Sequence, residues 1–342
     1  MSVNILNKKI LITGGLGFIG SNLARRLVEH GNTITVVDSL IPEYGGNLRN
    51  LFGIEDKITV NLSDVRDVTA INNLIKGHDY LFNLAGQTSH LDSMHDPITD
   101  LDINAKAQLS ILEACRKYNP DIRIVFASTR QIYGKPKYLP VDEKHPRHPV
   151  DVNGINKIAG EQYHILYQEV YGIASSVLRL TNTYGPRMRI KDARQTFLGI
   201  WIRNLLQGKP IQVFGDGKQR RDYNYVEDVL DALLIAATEK NAVGKVYNLG
   251  APDPLSLEDT AKIMCQKTEG GDYQMIPFPE DRKAIDVGDF ICDYSAFRDQ
   301  FGWEPKVSFE EGIQRSLEYF QGDIRSEEHT SELQSPCNLV CR

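Results

Sequence analysis

The sequence predicts an α/β fold, a doubly wound parallel sheet covered by helices on both faces, with a smaller interleaved substrate-binding lobe. Three observations predict it. Short β-branched apolar runs alternate with amphipathic stretches through the first half. A glycine-rich turn follows the first of these runs. From about Asn182 the chain becomes richer in Gly, Pro, Arg and Gln, yet strand-like runs recur within it. Strands separated by helical stretches join as right-handed βαβ units and bury both faces of their sheet.

The chain has 342 residues, 41% hydrophobic and 25% charged, which suits one large domain and a smaller one. A formal net charge of −6 offers no basic field for nucleic acid. No apolar run approaches the ~20 residues that cross a bilayer. Nucleic-acid and membrane partners are therefore not expected. The first residues run straight into a strand-like segment, so a cytoplasmic location is expected. Cys115, Cys265, Cys292, Cys337 and Cys341 show no Cys-x-x-Cys spacing and no neighbouring histidine pairs, so no metal site is expected. Residues 325–342, beginning Arg-Ser-Glu-Glu-His-Thr-Ser-Glu-Leu-Gln-Ser, resemble the conceptual translation of a sequencing-adapter oligonucleotide and are expected to be a non-native tail.

Taken in order, the first strand is Ile10-Leu11-Ile12. After it stands Thr13-Gly14-Gly15-Leu16-Gly17-Phe18-Ile19-Gly20, opening a helix through Leu23, Leu27 and Val28. Gly14, Gly17 and Gly20 let the turn tighten and the main chain approach a pyrophosphate, whose charge the helix dipole favours. Phe18 and Ile19 belong to the same cradle. The second strand, Thr33 to Val37, ends in Asp38. A carboxylate there accepts hydrogen bonds from ribose hydroxyls and repels a 2′-phosphate, so NAD is the expected cofactor. After the third strand, Ile58-Thr59-Val60, Asp64-Val65 is placed to meet the adenine. The fourth and fifth strands are Tyr80-Leu81-Phe82 and Ile122 to Phe126, and further strands follow at Ser176 to Leu180 and Val246 to Leu249.

With its Gly-x-x-Gly-x-x-Gly turn, the chain resembles the extended short-chain dehydrogenase/reductase family over roughly residues 8–320. The resemblance implies a Rossmann sheet and nucleotide-sugar chemistry of the UDP-glucose 4-epimerase kind. Asn83-Leu84-Ala85-Gly86-Gln87 resembles the loop beside the nicotinamide, with Leu84, Ala85 and Gly86 as cofactor contacts, and Asn104 matches a position that steadies the sheet. Thr129, four residues before Tyr133, stands where the family hydrogen-bonds the reacting sugar hydroxyl. Asn182 and Arg221, the latter in Gln219-Arg220-Arg221-Asp222-Tyr223, match the family's contacts to the substrate diphosphate, and Lys283 is a candidate second phosphate contact.

Two departures bear on mechanism. The family's 4,6-dehydratases carry an Asp-Glu pair after the threonine; Arg130 and Gln131 stand here and cannot supply that acid and base, which argues against dehydration. The family's catalytic couple is Tyr-x-x-x-Lys. Lys157 is present and is expected to bind the nicotinamide ribose, but Asn153 takes the tyrosine position. An amide is no proton acceptor near neutral pH, so Asn153 is expected to position a water or the substrate and Lys157 to be the nearest titratable group. His90 is read as a polar wall residue, and His145 and His148 as exposed.

The resulting expectation is an NAD-binding Rossmann domain over residues 1–181, completed by segments near 225–250, and a nucleotide-sugar lobe over 182–324. The expected function is NAD-dependent epimerisation at carbon 4 of a UDP-hexose, through transient oxidation to a keto-sugar. The alternatives are a reductase or decarboxylase of the same family, or a non-catalytic NAD and nucleotide-sugar binder. The stretches Ala105 to Lys117 and Gly154 to Tyr171 are, on the family pattern, the helices of a homodimer interface.

Overall fold

The computed structural model describes residues 5–192, 194, 196–283 and 285–333. Seven parallel strands form the central sheet. The first six are β1 (Lys9–Thr13), β2 (Thr33–Val37), β3 (Ile58–Asn61), β4 (Tyr80–Asn83), β5 (Arg123–Thr129) and β6 (Ser175–Leu180). Their spatial order is β3, β2, β1, β4, β5, β6, and Val246–Asn248 pairs with β6 at the far edge. The order reverses direction between β1 and β4, and the loops leaving the carboxyl ends of these two strands diverge to opposite faces. That divergence opens the crevice in which such sheets hold ligands.

One face of the sheet packs against the helices Phe18–Val28 and Val226–Thr238, burying Leu23, Leu27, Val229 and Leu233 with Ile10, Ile12 and Val36. The other face is covered by Val68–Leu74, Ala107–Tyr118 and Val152–Tyr171, which enclose Leu11, Leu81, Ile111 and Ile124. Successive residues of a strand point to opposite faces, so Ile10 and Ile12 serve one core and Leu11 the other. A third cluster lies in the lobe, where the helix Phe197–Leu206 and the paired strands Ile211–Phe214 and Tyr273–Ile276 gather around Trp201, Ile202, Val213 and Tyr223.

The helix Phe309–Leu333 returns to the lobe and buries Ile313, Leu317 and Phe320. It runs unbroken through residues 325–333 of the adapter-like stretch; residues 334–342, with Cys337 and Cys341, lie outside the described residues. Among the described residues no helix is long and apolar enough to cross a membrane, and no cluster of three or more His, Cys, Asp or Glu is placed to hold a metal ion. His148 is exposed, but His145 is buried. Its Nε2 lies 2.9 Å from the Lys137 amide and its ring meets Tyr133 edge-on, so a proline-rich loop that reads as solvent-exposed is pinned from within.

Candidate active site

The glycine turn is built by close approach. Gly14 has φ +69°, and a Cβ there would come within 3.0 Å of the Ala85 main chain; at Gly20 a Cβ would stand 2.3 Å from the Gly14 carbonyl oxygen. Only glycine lets the turn, the loop after β4 and the helix meet at these distances. The helix Phe18–Val28 starts at Gly17 without a side-chain cap, leaving its first N–H groups for an anion. At the end of β2, Asp38 accepts hydrogen bonds from the Leu16 and Leu40 amides at 3.1 and 3.0 Å, one to each oxygen. Burial pushes its carboxyl upward, and the two amides oppose that shift. An open helix N-terminus and a fixed carboxylate at the next strand end fit a pyrophosphate and an adenosine ribose, as NAD requires.

Asp64, Val65, Leu84, Ala85 and Gly86 line the same cavity, which has a volume of about 920 Å³ and continues past Thr129, Asn153 and Lys157 to Asn182 and Arg221. Lys157 is buried. Its ammonium donates to the Ala127 carbonyl at 3.3 Å and lies 5.1 Å from the centre of the Phe126 ring. Burial lowers its pKa to about 8, against the opposing attraction of Asp100. A Cβ on Gly86 would stand 2.8 Å from the Lys157 Nζ, so glycine in this loop makes room for the lysine.

Asn153 lines the cavity, but its amide nitrogen is engaged inward. Nδ2 donates to the Gln87 carbonyl at 2.7 Å and lies 3.2 Å from Asp100 Oδ2. Asp100 also accepts from Asn156 at 2.8 Å and Asn104 at 3.0 Å, and Asn104 reaches the same Gln87 carbonyl at 3.0 Å. Asn104 thus anchors the loop after β4, and it sits in a π-helical turn, Asp102–Lys106, that breaks the regular aim of side chains along a helix. Asp100, buried at the centre of three amides, is marked by no motif in the sequence.

Beside this network lies a second one. Asp151 caps the helix Val152–Tyr171, its Oδ1 accepting from the Gly154 amide at 2.7 Å, while its Oδ2 stands 2.9 Å from His90 Nδ1. The other ring nitrogen of His90 is 2.7 Å from the side-chain amide nitrogen of Gln131. His90 and Gln131 face the cavity, and Asp151 is closed behind them. His90 is visible in the sequence, but its carboxylate partner is 61 positions away and no spacing rule connects them.

At the substrate end, Arg221 is buried and held in place by the Arg220 and Gly288 carbonyls and by Gln219, with Asp286 at 4.0 Å. Burial lowers its pKa. Asn182 donates to the Asp222 carbonyl at 2.9 Å, and its side-chain oxygen lies 3.4 Å from an Arg130 nitrogen. Arg130 packs over Phe290 with no carboxylate within 4 Å among the described residues, and burial lowers its pKa to about 10. Two guanidinium groups therefore face this end of the cavity. Lys283 is apart from it: exposed, ion-paired with Glu280, and absent from the cavity wall. The turn of Glu280–Lys283 carries it outward, a placement the sequence does not encode locally.

Known proteins resemble this chain in sequence and in fold. The chain is similar over 319 residues, at 34% identity, to a Methanocaldococcus jannaschii protein whose name includes UDP-glucose 4-epimerase, covering 93% of this chain and 100% of the relative. It is 30% identical to UDP-glucuronic acid decarboxylase 1 of Xenopus tropicalis over 96% of this chain and 76% of that one. The crystal structure of UDP-glucose 4-epimerase with UDP-glucose from Thermotoga maritima superposes with a TM-score of 0.85 at 32% identity, covering 92% of this chain and 99% of that chain. The model of the NAD dependent epimerase/dehydratase family matches residues 10–250. With the glycine turn, Asp38, Lys157 and Arg221 around one cavity, the chain belongs to the NAD-dependent epimerase/dehydratase family.

Proposed function

We propose that this protein is a nucleotide-sugar epimerase that inverts carbon 4 of a UDP-hexose. The supporting observation is the single cavity: a dinucleotide cradle at one end, guanidinium groups at the other, and Thr129 and Lys157 between them. NAD bound in the cradle supplies a reversible oxidant for one sugar carbon. Arg221 and Asn182 hold the diphosphate, Thr129 bonds the reacting hydroxyl, and Lys157 binds the nicotinamide ribose and adds positive charge beside it. Asn153 keeps the loop after β4 in position. Arg130 and Gln131 leave no acid and base pair for eliminating water.

The working unit is a cytoplasmic homodimer. Ile155, Leu166 and Val170 are 55%, 48% and 59% exposed on one face of the helix Val152–Tyr171, and Ile98 beside it is 65% exposed. Exposed Gln162 and Glu169 interleave with these side chains, and a mixed apolar and polar helix face of this kind suits cover by a second copy.

A second reading is supported by Arg130, whose guanidinium faces the cavity without a carboxylate at ion-pair distance among the described residues, buried Asp222 attracting it from further off. A uronate substrate supplies one, which makes a decarboxylase of UDP-glucuronate the rival. Incubation of the NAD-loaded protein with UDP-glucose, UDP-galactose, UDP-N-acetylglucosamine and UDP-glucuronate separates the readings. Epimerisation gives the carbon-4 isomer with no net NADH. Release of carbon dioxide from UDP-glucuronate identifies the decarboxylase, and binding of all four without conversion identifies a protein that only holds its ligands.

A further inference from the structure

Position 153 holds an amide whose nitrogen is turned away from the cavity, so a different group must take the proton when the sugar hydroxyl is oxidised. We propose that this group is His90, oriented by Asp151, and the proposal rests on the epimerase reading.

Geometry carries it. Asp151 is fully buried and locked by its capping bond to the Gly154 amide, so the oxygen it presents to His90 Nδ1 at 2.9 Å is fixed in place. The pair stands at ion-pair distance without the angle of a hydrogen bond, and neither that oxygen nor Nδ1 has a hydrogen-bond partner among the described residues, so the buried carboxylate acts on the ring as a charge at short range. On the far side of the ring, the Gln131 amide nitrogen at 2.7 Å can only donate, and Arg130 lies on the Gln131 oxygen side at 3.5 Å, which supports that orientation of the amide. His90 Nε2 is therefore the acceptor, and Nδ1, the ring nitrogen beside Asp151, carries the proton. An imidazole on the cavity wall whose Nε2 accepts a proton donor and whose other nitrogen lies beside a buried carboxylate is arranged as a general base. His90, Gln131, Thr129 and Asn153 line the same cavity, so the ring shares the wall that a phenol at 153 would serve. The incoming hydroxyl replaces the Gln131 contact.

The step balances. The O–H bond breaks and its proton goes to His90 Nε2. The O–H electron pair becomes the second bond of the ketone, and the carbon's hydrogen leaves with its electron pair to reduce NAD. On return to the other face of the ketone, the imidazolium gives its proton back to the oxygen. The Asp151 carboxylate beside the ring offsets the imidazolium charge.

The test combines chemistry with an observable of the substrate-free protein. In single turnover with UDP-glucose, His90→Ala should reduce NAD at least about 10²-fold more slowly than wild type, the scale of a lost proton-transfer group. Calorimetric affinity for UDP should change by less than about threefold, a binding difference well under one tenfold step. Added imidazole should recover part of the rate. In ¹⁵N spectra of histidine-labelled protein, the signals lost in His90→Ala should report the Nδ1–H tautomer, and Asp151→Asn, which preserves the helix cap, should shift them. An unchanged rate in His90→Ala, a lost rate that imidazole does not recover, or deuterium entering a sugar carbon from heavy water would overturn the assignment. An Nε2–H tautomer overturns it even where no sugar of the panel turns over, whereas wild-type inactivity with the Nδ1–H tautomer present overturns only the epimerase reading.

Discussion

Asn153 Nδ2 donates to the main-chain oxygen of Gln87 across 2.7 Å, so the residue at the tyrosine position ties the helix Val152–Tyr171 to the loop after β4. Asn153→Ala removes that donor from a buried carbonyl and from Asp100. The Gln87 carbonyl keeps its bond from Asn104, so the loss should sit near 1–3 kcal/mol, about the cost of one lost buried hydrogen-bond partner. Urea denaturation of the two proteins checks it, and an undiminished midpoint would show that Asn104 alone holds the loop.

Cofactor choice should rest on Asp38. A carboxylate fixed by two amides meets a 2′-phosphate with like-charge repulsion, so NAD should bind at least tenfold tighter than NADP, about 1.4 kcal/mol. Asp38→Ala should narrow the gap. Equal affinities in wild-type calorimetry would contradict the role given to Asp38.

The buried Lys157 should make stability depend on pH in a defined direction. Its folded pKa, about 8, lies below the ordinary lysine value of about 10.4, so between the two the unfolded chain holds more protons and stability rises with pH. The penalty is complete below pH 8 and gone above about 10.4, where both states are neutral. Lys157→Met removes this contribution. The stability advantage of the variant over wild type should therefore shrink between pH 8 and pH 10, and a constant difference would show that the lysine titrates normally.

Under the active site, Glu161 is bound by Arg179 from β6 and by Ser128 from β5, and Arg179 continues to the Tyr133 hydroxyl at 2.6 Å. Both charges are buried, so Glu161→Ala strands a guanidinium and should cost about 3–5 kcal/mol. Thermal unfolding reads this directly. A change near zero would mean that water enters and replaces the carboxylate.

Deleting residues 325–342 should leave the fold intact, because Ile313, Leu317 and Phe320 bury the last helix before that point. The melting temperature should fall by no more than about 3 °C, roughly the shift produced by 1 kcal/mol in a domain of this size.

The succession of central-sheet strands along the chain, the glycine turn and the acid closing β2 were legible because each is a local pattern: periodicity sets burial, and close approach demands glycine at defined offsets. The same locality brought Thr129, Lys157, Asn182 and Arg221 into view, and folding gathers them on one cavity because Thr129 and Asn182 stand at the carboxyl ends of β5 and β6, Lys157 in an early turn of the helix Val152–Tyr171, and Arg221 in a short lobe strand lining the same cavity. Lys283 was also a local inference and stands elsewhere, since nothing in a short loop states which way it turns. What only the tertiary structure decided are the partnerships: Asn153 with Gln87 and Asp100, and His90 with Asp151 and Gln131. Each joins segments that the chain separates by tens of residues. A single hydrogen bond leaves no periodic trace in a sequence, because its two ends need only meet once, in space, after the sheet has formed.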